Sequence, residues 1–187
     1  MTKGRLEAFS DGVFAIAITL LVLEIKVPPA GGGQSLAHGL LKLWPSYAGF
    51  AVSFVTIGII WVNHHAVIAR VRSVDRKLLF RNLWLLLTVS FIPFPTAVMA
   101  EYLREGNGQD VAVAFYAAWF CVMGLSFRRI WPNAARTWTS RIGPALYLVA
   151  AGVAFINAYV SLGICAGLAL YYALPRSIEQ QLSQQTS

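Results

Sequence analysis

Residues 5–27 read RLEAFSDGVFAIAITLLVLEIKV. From Gly12 onward this stretch is apolar until Glu24, with Phe9 and Leu6 extending it backward. A bilayer core about 30 Å thick takes roughly 20 such residues as one helix. The stretch therefore reads as a first membrane span over about 5–27. Prolines 28 and 29 stop it, and Gly31, Gly32 and Gly33 form a loop. The next apolar runs predict spans over 45–70, 78–103 and 110–130. Residues 142–174 are too long for one span and must fold back, with Asn157 to Gly163 as the predicted turn. This adds spans over 142–157 and 160–175, giving six. A short amphipathic interfacial helix is predicted over 35–43. Pro93 and Pro95 fall inside the third span, where membrane helices tolerate kinks. The expectation is one all-α membrane domain over 1–187, with no separate soluble part.

Composition agrees. Hydrophobic residues are 57% of the 187, and charged residues only 12%, about half the share in ordinary soluble domains. Mean hydropathy is +0.61. A disordered tail, a collagen-like chain and a disulfide scaffold are excluded. Cys121 and Cys165 lie in apolar runs and read as small buried hydrophobes. Lys3 and Arg5 resemble the basic start of a signal peptide. Glu7 and Asp11 interrupt the stretch after them, and no small-x-small cleavage site precedes the prolines, so a retained helix is expected.

The net charge of +7 would by itself suggest nucleic acid or a membrane surface. Its distribution decides. In the six-span arrangement Lys3, Arg5, Arg70, Arg72, Arg76, Lys77, Arg81, Arg128, Arg129, Arg136, Arg141 and Arg176 share one side. Lys26, Lys42 and Arg104 take the other. The positive-inside rule then puts both termini in the cytoplasm. Trp44, Trp61, Trp84 and Trp131 fall near predicted span ends, as interfacial belts require. Nucleic-acid binding is not expected.

Ionisable groups inside a span are costly and point to function. Asp11 lies six residues inward from Arg5, and His64 six inward from Arg70. At about 1.5 Å per residue both sit about 9 Å deep. A buried network of Ser10, Asp11, His64 or His65, and Asn82 is predicted. It could lock helices, relay or sense protons, or hold a metal. Adjacent histidines on different faces, three in all, argue against metal.

On the first helix, at about 100° per residue, Ile16, Leu20 and Leu23 fall within about 60° of arc, flanked by Thr19. Asp11 lies on the far side. Such a stripe can face lipid, core or a pore. Glu24 near the outer end can either concentrate cations or pair with Lys26.

Arg5, Phe9, Ser10 and Asp11 fit the signature R-x-x-x-F-S-D, followed by GVFAIAITLLVLEIKVP, then WVNHH at 61–65 and RNLWLLLTVSFIPFPT at 81–96. In these residues the chain resembles the endosomal and lysosomal potassium channel family, transmembrane protein one-seventy-five, and its short bacterial members. The resemblance implies a homotetramer of six-helix subunits in the bacterial plasma membrane, with the first helix lining a central pore. It implies a hydrophobic filter and gate of Ile16, Leu20 and Leu23, with Thr19 beside it. It also implies that Arg5, Phe9, Ser10 and Asp11, with His64, His65 and Asn82, hold that helix to the second and third. The partners expected are further copies of the chain, the lipid bilayer and potassium ions. No cofactor or resident metal is expected beyond the permeant potassium ion.

Nothing in the chain resembles the carbonyl filter T-V-G-Y-G. Apolar rings can still select by making an ion shed water, and potassium sheds it more readily than sodium. The competing reading is a proton-coupled secondary transporter using Asp11 and the histidines, although no inverted repeat is evident. An intramembrane hydrolase built on Ser10 and a histidine would lack any G-x-S-x-G or H-E-x-x-H motif. No enzyme is expected.

Overall fold

A computed structural model describes residues 2–28, 35–71, 73–130 and 138–174. Arg72, Trp131, Arg136, Arg176, the loop at 29–33 and the Arg141 side chain lie outside what it describes. The elements are α1 (Lys3–Leu20), continued by a 3-10 turn (Leu21–Glu24), then α2 (Leu36–Lys42), α3 (Trp44–Ala69), α4 (Arg76–Ser90), α5 (Pro93–Glu105), α6 (Gln109–Ile130), α7 (Trp138–Ala154) and α8 (Ala158–Ala173). No strand occurs among the described residues. Four units are long and apolar enough to cross a bilayer: Lys3–Glu24, Trp44–Ala69, Arg76–Glu105 and Gln109–Ile130. Ile142–Ala154 and Ala158–Ala173 are shorter apolar helices.

Helix boundaries follow local chemistry. Ser35 caps the short α2 by accepting from the His38 amide. The Asp75 carboxylate accepts from the Leu78 amide at 2.7 Å and starts α4. Gly106, at φ +76°, ends α5 in the left-handed conformation that glycine adopts without strain.

The third span is jointed rather than bent. Pro93 has no N–H for the Val89 carbonyl. The Ile92 amide takes that carbonyl instead, at 3.1 Å, and so abandons Thr88. The Trp119 indole of α6 then donates to the Thr88 carbonyl at 2.8 Å. A neighbouring helix thus satisfies the group that the proline freed.

The fold-back near the C-terminus comes earlier than the predicted turn over Asn157 to Gly163. Asn157 ends the turn as the cap of α8, accepting from the Tyr159 and Val160 amides at 2.9 and 3.1 Å. Ser161 and Gly163 lie inside the helix, and the Ser161 hydroxyl donates to the Ala150 carbonyl of α7. The fifth helix accordingly ends at Ala154 and the sixth starts at Ala158, short of the predicted 157 and 160.

Side-chain contacts fix the direction of each helix. Lys3 donates to the Ala69 carbonyl, so α1 and α3 run antiparallel. Ser53 of α3 meets Thr96 of α5 and Tyr116 of α6 through hydroxyls at 2.8 and 3.0 Å. Phe91 packs on Trp119 and Phe94 on Phe115, so α6 runs against α4 and α5. Phe120 packs on Tyr147, and a Cβ at Gly124 would come 3.0 Å from Pro144, so α7 lies close against α6. A Cβ at Gly49 would sit 2.7 Å from Met99, which shows how closely α3 approaches α5. The core between these helices holds Phe14, Leu85, Met99, Tyr116, Phe120 and Met123.

Candidate functional site

The site is built on α1, whose two faces have opposite fates. Leu6, Ser10, Phe14, Ala17 and Leu21 recur every three or four residues and are buried against the other helices. The opposite face is left uncovered: Phe9, Ile16 at 60% exposure, Thr19, Leu20 at 41% and Leu23 at 70%. Gly12 belongs to it, with nothing within 4 Å of where its Cβ would be. Arg5, Phe9, Gly12, Ile16, Thr19 and Leu23 are separated alternately by four and three residues. That spacing is the mark of a seam meant for other helices or for an axis.

The 3-10 turn at Leu21–Glu24 winds by about 120° per residue, which advances Leu23 by up to about 60°. Leu23 is thereby carried across the Ile16 direction to the side of Leu20, and it stays on the stripe. The Thr19 hydroxyl donates to the Ala15 and Ile16 carbonyls, each at 3.0 Å. Its proton is used within the helix, and only lone pairs point outward.

A buried chain of hydrogen bonds fixes α1. Asn82 Nδ2 donates to Ser10 Oγ at 3.0 Å, and Ser10 Oγ donates to the Leu6 carbonyl at 2.8 Å. With the amide so turned, Asn82 Oδ1 accepts from His64 Nε2 at 2.7 Å. Ser10, His64 and Asn82 are all buried, and the Phe14 ring covers the His64 ring at 5.4 Å. One residue each from α1, α3 and α4 thus meets at one level.

The structure leaves four predicted members out of this chain. Asp11 does not meet either histidine; it accepts from Trp61 Nε1 at 2.8 Å. The indole reaches it from the outer side of α3, while His64 points inward. His65, one residue on and about 100° round the helix, is exposed. Arg5 and Phe9 are exposed on the seam face. Trp61 is the residue that sequence reasoning missed in this role. As an aromatic near a span end it suggests only an interfacial belt, although its three-residue spacing from His64 puts it one turn away and only about 60° round the helix.

Ser10 and His64 do not touch, because Asn82 stands between them. Glu24 makes no ion pair with Lys26 among the described residues. No group of three potential metal ligands occurs among them.

Residues 5–93 match the profile of the family described as endosomal/lysosomal potassium channel TMEM175. A potassium channel of Streptomyces collinus is 48% identical, over 91% of this chain and 91% of that protein. A potassium channel of Chamaesiphon minutus is 45% identical over 91% and 93%. The crystal structure of a lysosomal potassium-selective channel TMEM175 homolog from Chamaesiphon minutus superposes with a TM-score of 0.86 at 47% identity. It covers 91% of this chain and 96% of that one.

Proposed function

Since the chain belongs to the TMEM175 family of potassium channels, we propose that it is a potassium-selective channel. Its subunit crosses the bacterial plasma membrane six times, with both termini in the cytoplasm. Four subunits surround a central pore lined by α1. Ile16, Leu20 and Leu23 form stacked apolar rings that serve as filter and gate, and Thr19 oxygens lie beside them.

One observation carries this assignment. Ile16, Leu20 and Leu23 stay uncovered on the helix whose other face is anchored through Ser10, Asn82 and His64. The anchor fixes the rotation of α1, and the rotation decides which residues line the axis. A narrow apolar ring tends to dewet, so a passing ion loses part of its shell. Potassium, less strongly hydrated, loses it at smaller cost than sodium. Proton-coupled transport is disfavoured, because Asp11 is held by an indole and makes no ion pair with a histidine among the described residues.

The test is Ile16→Asn in reconstituted bilayers under a potassium–sodium gradient. An amide in the ring can replace lost water for either ion. The reversal potential should move toward zero selectivity. An unchanged reversal potential removes Ile16 from the filter.

A further inference from the structure

Where α1 ends, a cavity of about 280 Å³ opens between it and the α4–α5 joint. Leu20, Leu23 and Glu24 form one wall. The joint supplies the other, because its break turns Phe91 and Phe94 outward, with their rings 5.2 Å apart. The polar groups present are of one kind. Glu24 is half-buried and has no ion-pair partner among the described residues. The Ser90 hydroxyl spends its proton on the Leu86 carbonyl at 2.8 Å and offers only lone pairs. The cavity therefore presents a carboxylate, a second acceptor and two aromatic rings, within an apolar wall.

We propose that this cavity binds an amphiphilic organic cation, an ammonium group carried on an aromatic or branched alkyl body. The charge would sit at Glu24, where a nearby ring face also attracts a cation. The body would displace water from the leucines and phenylalanines. A potassium ion is poorly matched, since one carboxylate and one hydroxyl supply too few oxygens to replace its shell. The occupant touches Leu20 and Leu23, so binding bears on the filter; this last step rests on the channel reading above.

The full-length protein in zwitterionic nanodiscs is titrated calorimetrically with phenylpropyltrimethylammonium, with the heat from empty discs subtracted. Saturable binding at one site per chain is expected. Glu24→Gln should weaken it about tenfold, the loss of one charge contact. Ala97→Phe, which fills the cavity from α5, should abolish it. Ala97→Leu serves if the larger ring prevents folding. Absence of saturable binding would mean that a neighbouring copy or a lipid chain already fills the space, and overturns the proposal. Equal affinity in the Glu24 and Ala97 variants overturns it as well. Protein that binds the probe but passes no potassium current would overturn the channel reading and leave the site standing.

Discussion

Asn82 is buried and serves two partners, one on each neighbouring helix. Asn82→Ala would strand the His64 Nε2 and weaken the seat of Ser10. A stranded buried polar group costs about 1–3 kcal/mol. A clear drop in melting temperature of the detergent-solubilised protein is expected. His65→Ala, at the exposed neighbour, should leave that temperature nearly unchanged, as surface substitutions generally do. Equal effects would mean that the histidines have exchanged roles. The sequence could place Ser10, a histidine and Asn82 at one depth, because depth comes from counting residues. It could not choose between His64 and His65, because that depends on how α3 is rotated against α1 and α4. Nor could it foresee that Asp11 would take Trp61. A carboxylate within a span suggests a charged partner, yet a tryptophan N–H is as good a donor.

At the level of elements, the α4–α5 joint depends on a bond from outside itself. Trp119→Phe keeps the ring packing on Phe91 but removes the donor to the Thr88 carbonyl. About 1–3 kcal/mol of stability should be lost, read as a lower midpoint in denaturant titration. Asn157→Ala removes both capping bonds of α8 and should cost about 0.5–2 kcal/mol by the same measurement. Prolines 93 and 95 announce the joint, but hydropathy alone runs straight through it, since both halves are apolar. The start of α8 is hard to place for a related reason. Gly163 and Ser161 look like turn residues, whereas in lipid small and hydroxyl-bearing residues are ordinary in helices and their contacts. Asn157, the true boundary, is visible as a capping residue.

For the whole molecule, the contacts make successive apolar units run in opposite directions. Lys3 and Arg5 at the start of α1 then share an end with Arg70, Arg76, Lys77, Arg128 and Arg129. Lys26, Lys42 and Arg104 gather at the other end, where Arg104 is paired with Glu101. Charge counting along the sequence anticipates this sorting, because insertion acts on loops and needs no knowledge of packing. Single cysteines placed at Gly4 and at Asn107, on a background without Cys121 and Cys165, should react with an impermeant maleimide from opposite sides of the membrane. In intact cells only the Asn107 position should label.

The two C-terminal helices differ in length from the rest. With 17 and 16 residues, α7 and α8 are about 25 and 24 Å long. The hydrocarbon layer beside them is about 30 Å thick. Lipids at that flank must compress or the helices must draw their ends inward, and either response stores elastic energy that grows with chain length. On the six-span reading proposed above, the protein should therefore be most stable in bilayers of short-chain lipid, and its melting temperature should fall as the acyl chains are lengthened.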